Sequence, residues 1–248
     1  MRTTLILLLL CAGVVLCNVG CATIRRKLLF YPTHRGESNG LAEWRSGGEV
    51  IGYCQPVDHP RSVWLFIHGN GGQAADRVYA LPSFSDREAV YILEYPGYGL
   101  RPGVPSKDAL DRAASEAYRL LRATYPGIPV CTAAESIGSG PACLLAKEPV
   151  PPNKIVLVVP FDVLKKVASD HLPFFPVGLL LGRSWDNVAA LSSYSGPVVI
   201  YGARDDEVIA VRHAESLARS VPQARLHIIP GGHNDWAKSR VVRIETGD

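Results

Sequence analysis

Ser136 stands in AAESIGSGPA (Ala133–Ala142), between Glu135 and Ile137, with small residues on both sides. Such a stretch is either a Gly-rich turn or a nucleophile displayed on a sharp bend. A serine hydroxyl is a weak nucleophile: it needs a base within hydrogen-bond reach, and a third group to orient that base. Two other places in the chain offer such groups. His233 follows the pair Gly231-Gly232, and Asp205 and Asp206 stand side by side after Gly202-Ala203-Arg204. Along the chain the order is serine, acid, histidine.

These residues matter only if the elements between them bring them together. Short apolar runs rich in β-branched and aromatic residues, bounded by Gly or Pro, predict buried strands at Val63–Gly69, Ala89–Gly99, Pro129–Ala134, Lys154–Pro160, Pro197–Gly202 and Arg225–Gly231. Ser106–Thr124 has apolar residues at helical spacing, with Ser106 as its N-cap and Asp108 in its first turn. A further apolar helix is expected after Ser136, and another over Val211–Ser220. Strands alternating with helices imply a mainly parallel twisted sheet with helices on both faces. In such sheets ligands bind at the carboxyl ends of the strands. Every suggestive residue lies just after one of these strands: His68-Gly69-Asn70-Gly71-Gly72, Glu135-Ser136-Ile137-Gly138, Ala203-Arg204-Asp205-Asp206, and Gly231-Gly232-His233.

In this register the chain resembles the α/β-hydrolases, and within them the lid-poor serine hydrolases with an HGNGG loop (His68–Gly72) and an LLFYP segment (Leu28–Pro32). The resemblance runs from about Leu28 to Ala237 and includes EYPGYG (Glu94–Gly99) and the GxxDxxV pattern of Gly202–Val208. The chain order serine, acid, histidine is that of the family. Two positions depart from it: Ala134 replaces the first glycine of G-x-S-x-G, and Val208-Ile209 replaces Val-Pro. The resemblance implies an α/β-hydrolase fold without a large cap domain. It also implies an acyl-enzyme on Ser136, His233 as base and Asp205, three residues after Gly202, as the acid. The neighbouring Asp206 then reads as a solvated loop carboxylate. Asp162 is a remote third candidate for the acid, better read as the N-cap of a helix starting at Val163. The oxyanion hole would use the backbone N–H of Ile137 and that of Asn70, with Gly71 as the alternative, while the His68 side chain braces the loop. Apolar residues of His171–Asn187 (Leu172, Phe174, Phe175, Leu179, Leu180 and Leu181) either line an acyl pocket or belong to a helix packed on the sheet. The substrate class implied is a small acyl ester or thioester. The alternatives are a peptidase or amidase with the same triad, and a non-catalytic, membrane-tethered binding module.

Composition narrows the field. The chain has 248 residues, is 47% apolar and 20% charged, and carries a net charge of +3, so it is globular and has no marked preference for an acidic partner. No basic run with interleaved aromatics suggests nucleic acid. HGNGG lacks the Lys-Ser/Thr ending of a phosphate-binding P-loop. No histidine has metal-ligand spacing with cysteines or acids, so neither metal nor cofactor is expected. The N-terminus is distinct: Arg2 precedes an uncharged, densely apolar stretch, and Val19-Gly20 precede Cys21. The pattern resembles a lipobox, with Cys21 acylated after cleavage, although Asn18 stands where Leu is usual. A cleaved export signal and an uncleaved membrane anchor are the alternatives. Residues 1–21 thus form a signal or anchor, and residues 28–248 the hydrolase domain. Oligomeric state is left open. Cys11, Cys17 and Cys21 fall in the signal region, which leaves Cys54, Cys131 and Cys143, an odd set better read as buried free thiols than as a disulfide framework.

Overall fold

The computed structural model describes residue 26 and residues 29–174, 181–238 and 240–247. The apolar N-terminal stretch and Cys21 lie outside the described residues. Among those described, no helix is long and apolar enough to cross a membrane. The strands, in chain order, are β1 (Tyr31–Pro32), β2 (Ala42–Ser46), β3 (Glu49–Gln55), β4 (Ser62–Ile67), β5 (Gly71–Gly72), β6 (Glu88–Leu93), β7 (Val130–Glu135), β8 (Ile155–Val158), β9 (Val198–Ala203) and β10 (Ala224–Ile229). The helices are α1 (Lys107–Thr124), α2 (Ser139–Leu144), α3 (Leu164–His171), α4 (Asn187–Leu191) and α5 (Arg212–Ser220), with a 3-10 helix over Ala74–Ser83.

The main sheet has the order β10-β9-β8-β7-β4-β6-β3-β2. It is parallel from β10 to β6, and an antiparallel hairpin of β2 and β3 closes the other edge. The central strands β4, β6, β7 and β8 are buried along their whole length, which explains their continuous rather than alternating apolar sequences. One face packs against the helices through residues such as Leu110 and Leu121 of α1, Ala142 of α2, Leu191 of α4 and Leu217 of α5. The other face is covered by the 3-10 helix and by Trp236, Val242 and Ile244 near the C-terminus. The helix α1 starts where the sequence predicts: the Ser106 hydroxyl accepts a hydrogen bond from Ala109 N–H at 3.2 Å.

Topology locates the crevice. From β4 the chain goes to β6 on one side, then crosses to β7 on the other. The loops leaving the carboxyl ends of β4 and β7 therefore diverge, and the space between them is open to a ligand. HGNGG leaves β4 and Ser136 leaves β7. No cap domain covers this edge in the described residues.

Candidate active site

Ser136 is the first residue after β7, where the strand turns directly into a helical segment. Its φ is +53°, the left-handed region that residues other than glycine avoid. That geometry raises the side chain above the sheet edge, a strained turn of the kind found at functional sites. The turn also brings the helix close to β4. A Cβ on Gly138 would lie 2.3 Å from the Ile67 carbonyl oxygen and 2.5 Å from that of His68, so only glycine fits there. Ala134, at the other flank, is buried within β7 and pairs with Ile67 and Leu157 in the ladder.

His233 reaches the serine from the loop after β10. Its Nε2 lies 2.9 Å from Ser136 Oγ. Its Nδ1 donates to Oδ2 of Asp206 at 2.7 Å. The geometry corrects the choice of acid: Asp206, not Asp205, stands behind the imidazole. The strand β9 continues through Ala203, one residue beyond the Gly202 limit expected from sequence, and the backbone stays tied to the β10 loop after it. Arg204 N–H donates to Ile229 O and Asp205 N–H to Gly231 O. The Asp205 side chain is left exposed and Asp206 turns inward, 7% exposed. Asp206 is further fixed by its own loop, because Oδ1 accepts the N–H groups of Val208 and Ile209 at 2.8 and 2.7 Å. Asp162 belongs to neither histidine loop nor helix cap. It accepts from His213 Nδ1 at 2.8 Å, and the residue capping α3 is Val163.

Asn70, Gly71 and Ile137 line one cavity of about 500 Å³ together with Ser136 and His233. The loop bearing Asn70 is held on several sides. Tyr98 O–H donates to the Asn70 carbonyl oxygen at 2.9 Å and Tyr95 O–H to that of His68 at 2.6 Å. The His68 ring is fully buried against Tyr95 and donates Nδ1–H to Gly69 O at 2.7 Å. The LLFYP segment supplies β1, whose Tyr31 and Pro32 pair in parallel with Gly71 and Gly72. That N-terminal signature therefore has a local task, to brace the loop beside the serine.

The apolar wall of the cavity comes from Phe161, Leu164, Val167, Val208 and Ile209. The segment His171–Asn187, left by the sequence between an acyl pocket and a packed helix, is described only in part. Leu172 and Phe174 are exposed, Leu181 is buried, and Phe175, Leu179 and Leu180 lie outside the described residues. Among the described residues the wall belongs to the loop after β8, to α3 and, through Val208 and Ile209, to the loop after β9. Val159, at that strand end, lines the cavity with φ +46°, an uncommon conformation for a β-branched residue. Arg77, Tyr79 and Glu135 supply polar groups on the cavity lining, and sequence reading passed over all three. For Glu135 a signal existed, a carboxylate inside an otherwise apolar strand end. Cys54, Cys131 and Cys143 are free and buried; burial pushes the Cys131 thiol up to about 12, so it is no nucleophile at neutral pH. Among the described residues, no group of three or more His, Cys, Asp or Glu side chains is placed to hold a metal ion.

No family model matches the chain. An uncharacterised protein of Mycobacterium tuberculosis is 29% identical over 230 residues, an alignment covering 85% of this chain and 81% of that protein. The lysophosphatidylserine lipase ABHD12 of Xenopus tropicalis is 27% identical over 215 residues, covering 74% of this chain and 54% of the lipase, so the chain spans about half the lipase's length. A solved esterase of Pyrococcus furiosus aligns with a TM-score of 0.63 at 14% identity, over 85% of this chain and 95% of that one. A thioesterase domain from the curacin biosynthetic pathway gives 0.59 at 15% identity, over 81% and 95%. Strand order, the crevice at its switch point and these superpositions converge on one architecture: the chain has the α/β-hydrolase fold.

Proposed function

We propose that the protein is a serine hydrolase that cleaves carboxylic esters or thioesters through an acyl-enzyme on Ser136. The observation that carries this reading is the continuous relay Ser136–His233–Asp206, of which Ser136 and His233 line the cavity. His233 Nε2 removes the Ser136 proton as Oγ attacks the substrate carbonyl carbon. Asp206 holds the ring in the tautomer with hydrogen on Nδ1 and stabilises the imidazolium that forms. The carbonyl oxygen becomes an oxyanion beside the backbone N–H groups of Ile137 and Asn70, with Gly71 the alternative donor. His233 then gives its proton to the leaving alcohol or thiol. Water, deprotonated by the same imidazole, attacks the acyl carbon, and Ser136 is regenerated. The apolar wall of Phe161, Leu164, Val167 and Ile209 suits an acyl chain. The lipase and esterase names among the similar proteins support an ester bond as the target. We further infer that the chain is held at a membrane by its N-terminus: exported if Cys21 is acylated after cleavage, or with its domain on the cytoplasmic side if the apolar segment stays uncleaved, since Arg25, Arg26 and Lys27 follow it. The motive is the sequence of residues 1–24.

The test of catalysis is covalent labelling by a fluorophosphonate, followed by intact mass. The wild type is expected to take one adduct. Ser136→Ala is expected to take none, and His233→Ala to react at least about 10⁴-fold more slowly. A folded wild type that takes no adduct would remove the serine-hydrolase reading.

A further inference from the structure

Directly beneath the nucleophile, one buried carboxylate joins the loops that the proposed reaction uses. Glu135 ends β7 and is 4% exposed. Its Oε1 accepts Gly69 N–H at 2.9 Å and Tyr79 O–H at 2.9 Å. Its Oε2 accepts Trp236 Nε1–H at 3.0 Å and Tyr79 O–H at 2.8 Å. Arg77 Nε lies 3.4 Å from Oε1. These donors belong to separate parts of the chain. Gly69 immediately precedes Asn70 in the HGNGG loop. Trp236 stands three residues beyond His233. Tyr79 and Arg77 come from the 3-10 helix. Gly69, Tyr79 and Trp236 give hydrogen to Glu135 and Arg77 pairs with it by charge, so the position calls for an acceptor-only group, which a carboxylate is and an amide is not. Burial opposes the charge on Arg77, yet the neighbouring Glu135 holds the guanidinium above its ordinary value. Burial and the same carboxylate push the Tyr79 phenol well up, so it remains a donor.

We propose that Glu135 is a positioning residue for catalysis: its carboxylate fastens the oxyanion loop and the His233 loop to the strand that carries Ser136, fixing the relative placement of nucleophile, base and oxyanion donors. The proposal rests on the serine-hydrolase reading. An apolar side chain at position 135 would fill the space but leave the two loops and the 3-10 helix without a common anchor, and remove the carboxylate that accepts from the Trp236 indole and the Gly69 amide. Although Glu135 borders the cavity, its hydrogen bonds run to Gly69, Tyr79 and Trp236 rather than to Ser136 or His233. Its loss therefore costs alignment rather than substrate affinity, and misplacement by about 1 Å lowers turnover about 100-fold.

The experiment uses the full chain in detergent with a p-nitrophenyl ester, comparing wild type, Glu135→Gln and Trp236→Phe. Active sites are counted by fluorophosphonate adduct, so that turnover is read per competent site. Glu135→Gln is expected to lower kcat per labelled site about 100-fold, and Trp236→Phe about tenfold, with KM within about twofold of wild type for both. A merely structural role would lower the melting temperature and the fraction of sites labelled while leaving kcat per site unchanged, and that result overturns the proposal. Should Glu135→Gln fail to fold, Trp236→Phe decides by the same criterion. A wild type without adduct overturns the functional reading instead, which keeps the two failures distinguishable.

Discussion

One oxygen of Asp206 holds its own loop and the other holds His233. The first accepts two backbone N–H groups and the second the imidazole, so the carboxylate is aimed before any substrate arrives. Asp205, one residue earlier, has its side chain in solvent. On this basis Asp206→Asn should lower kcat by about 10⁴-fold, because an amide no longer stabilises the imidazolium and favours the wrong tautomer. Asp205→Asn should stay within about twofold of wild type. The two variants assayed side by side on one ester settle the assignment, and the reverse pattern would restore Asp205. At this scale the sequence was legible where composition is unusual. Ser136 and His233 announce themselves by their small and Gly-rich flanks. Two adjacent aspartates do not, because which one faces inward depends on where β9 ends.

The helix α3 is the element that turns a relay into a pocket, since Leu164, Val167, Ala168 and His171 all line the cavity. It is tied down by Asp162, just after β8. Asp162 accepts from Val163 N–H and Lys166 Nζ at 2.7 Å each, from His213 Nδ1 at 2.8 Å and from Ser216 Oγ at 2.9 Å. It thereby links the β8 loop to α3 and α5. His213 also meets Asp170 through Nε2 at 2.6 Å, and Arg212 pairs with the same Asp170 at 2.7 Å. Burial raises the Asp162 carboxyl, but the hydrogen bonds from Lys166, His213, Val163 and Ser216 outweigh it and hold the group at about 2. A carboxylate whose pKa is lowered on folding stabilises the fold above its unfolded value of about 3.9. That contribution, on the order of 2 kcal/mol, fades as pH falls from about 4 through about 2. Urea denaturation should therefore show wild type more stable than Asp162→Asn at pH 7 by about that amount, with the gap closing towards pH 2. A gap independent of pH would contradict this account. A helix near this place was foreseeable, but the pairing of Asp162 with His213 joins residues 51 positions apart that share no local pattern.

Considered whole, the molecule is a sheet whose central strands are buried on both faces, with the proposed chemistry at one edge. The described chain resumes beside that edge: Leu29 lines the cavity, and Tyr31 and Pro32 pair with the HGNGG loop. If the N-terminal stretch is held at a membrane, as proposed, the crevice lies a few residues from the attachment point. The full chain should then sediment with membranes from the expressing cells, and a chain beginning at Ala22 should remain in the supernatant while still taking the fluorophosphonate adduct. Recovery of the full chain in the supernatant would count against tethering.

The sequence by itself determined the parallel sheet, the positions of its central strands, the helix capped by Ser106, and a serine and a histidine on the same edge. Those follow from local causes: continuous apolar runs that must be buried on both faces, glycines that permit sharp turns, and a hydroxyl that caps a helix. The tertiary structure alone decided that Asp206 rather than Asp205 supports His233, and that the β8 loop, α3 and the loop after β9 supply the described apolar wall. It also decided that Glu135 collects donors from two distant loops and the 3-10 helix. In each case the outcome depends on a one-residue difference in strand length, or on contacts between segments far apart in sequence. Side-chain direction alternates with every strand residue, so such a difference reverses which neighbour faces the site.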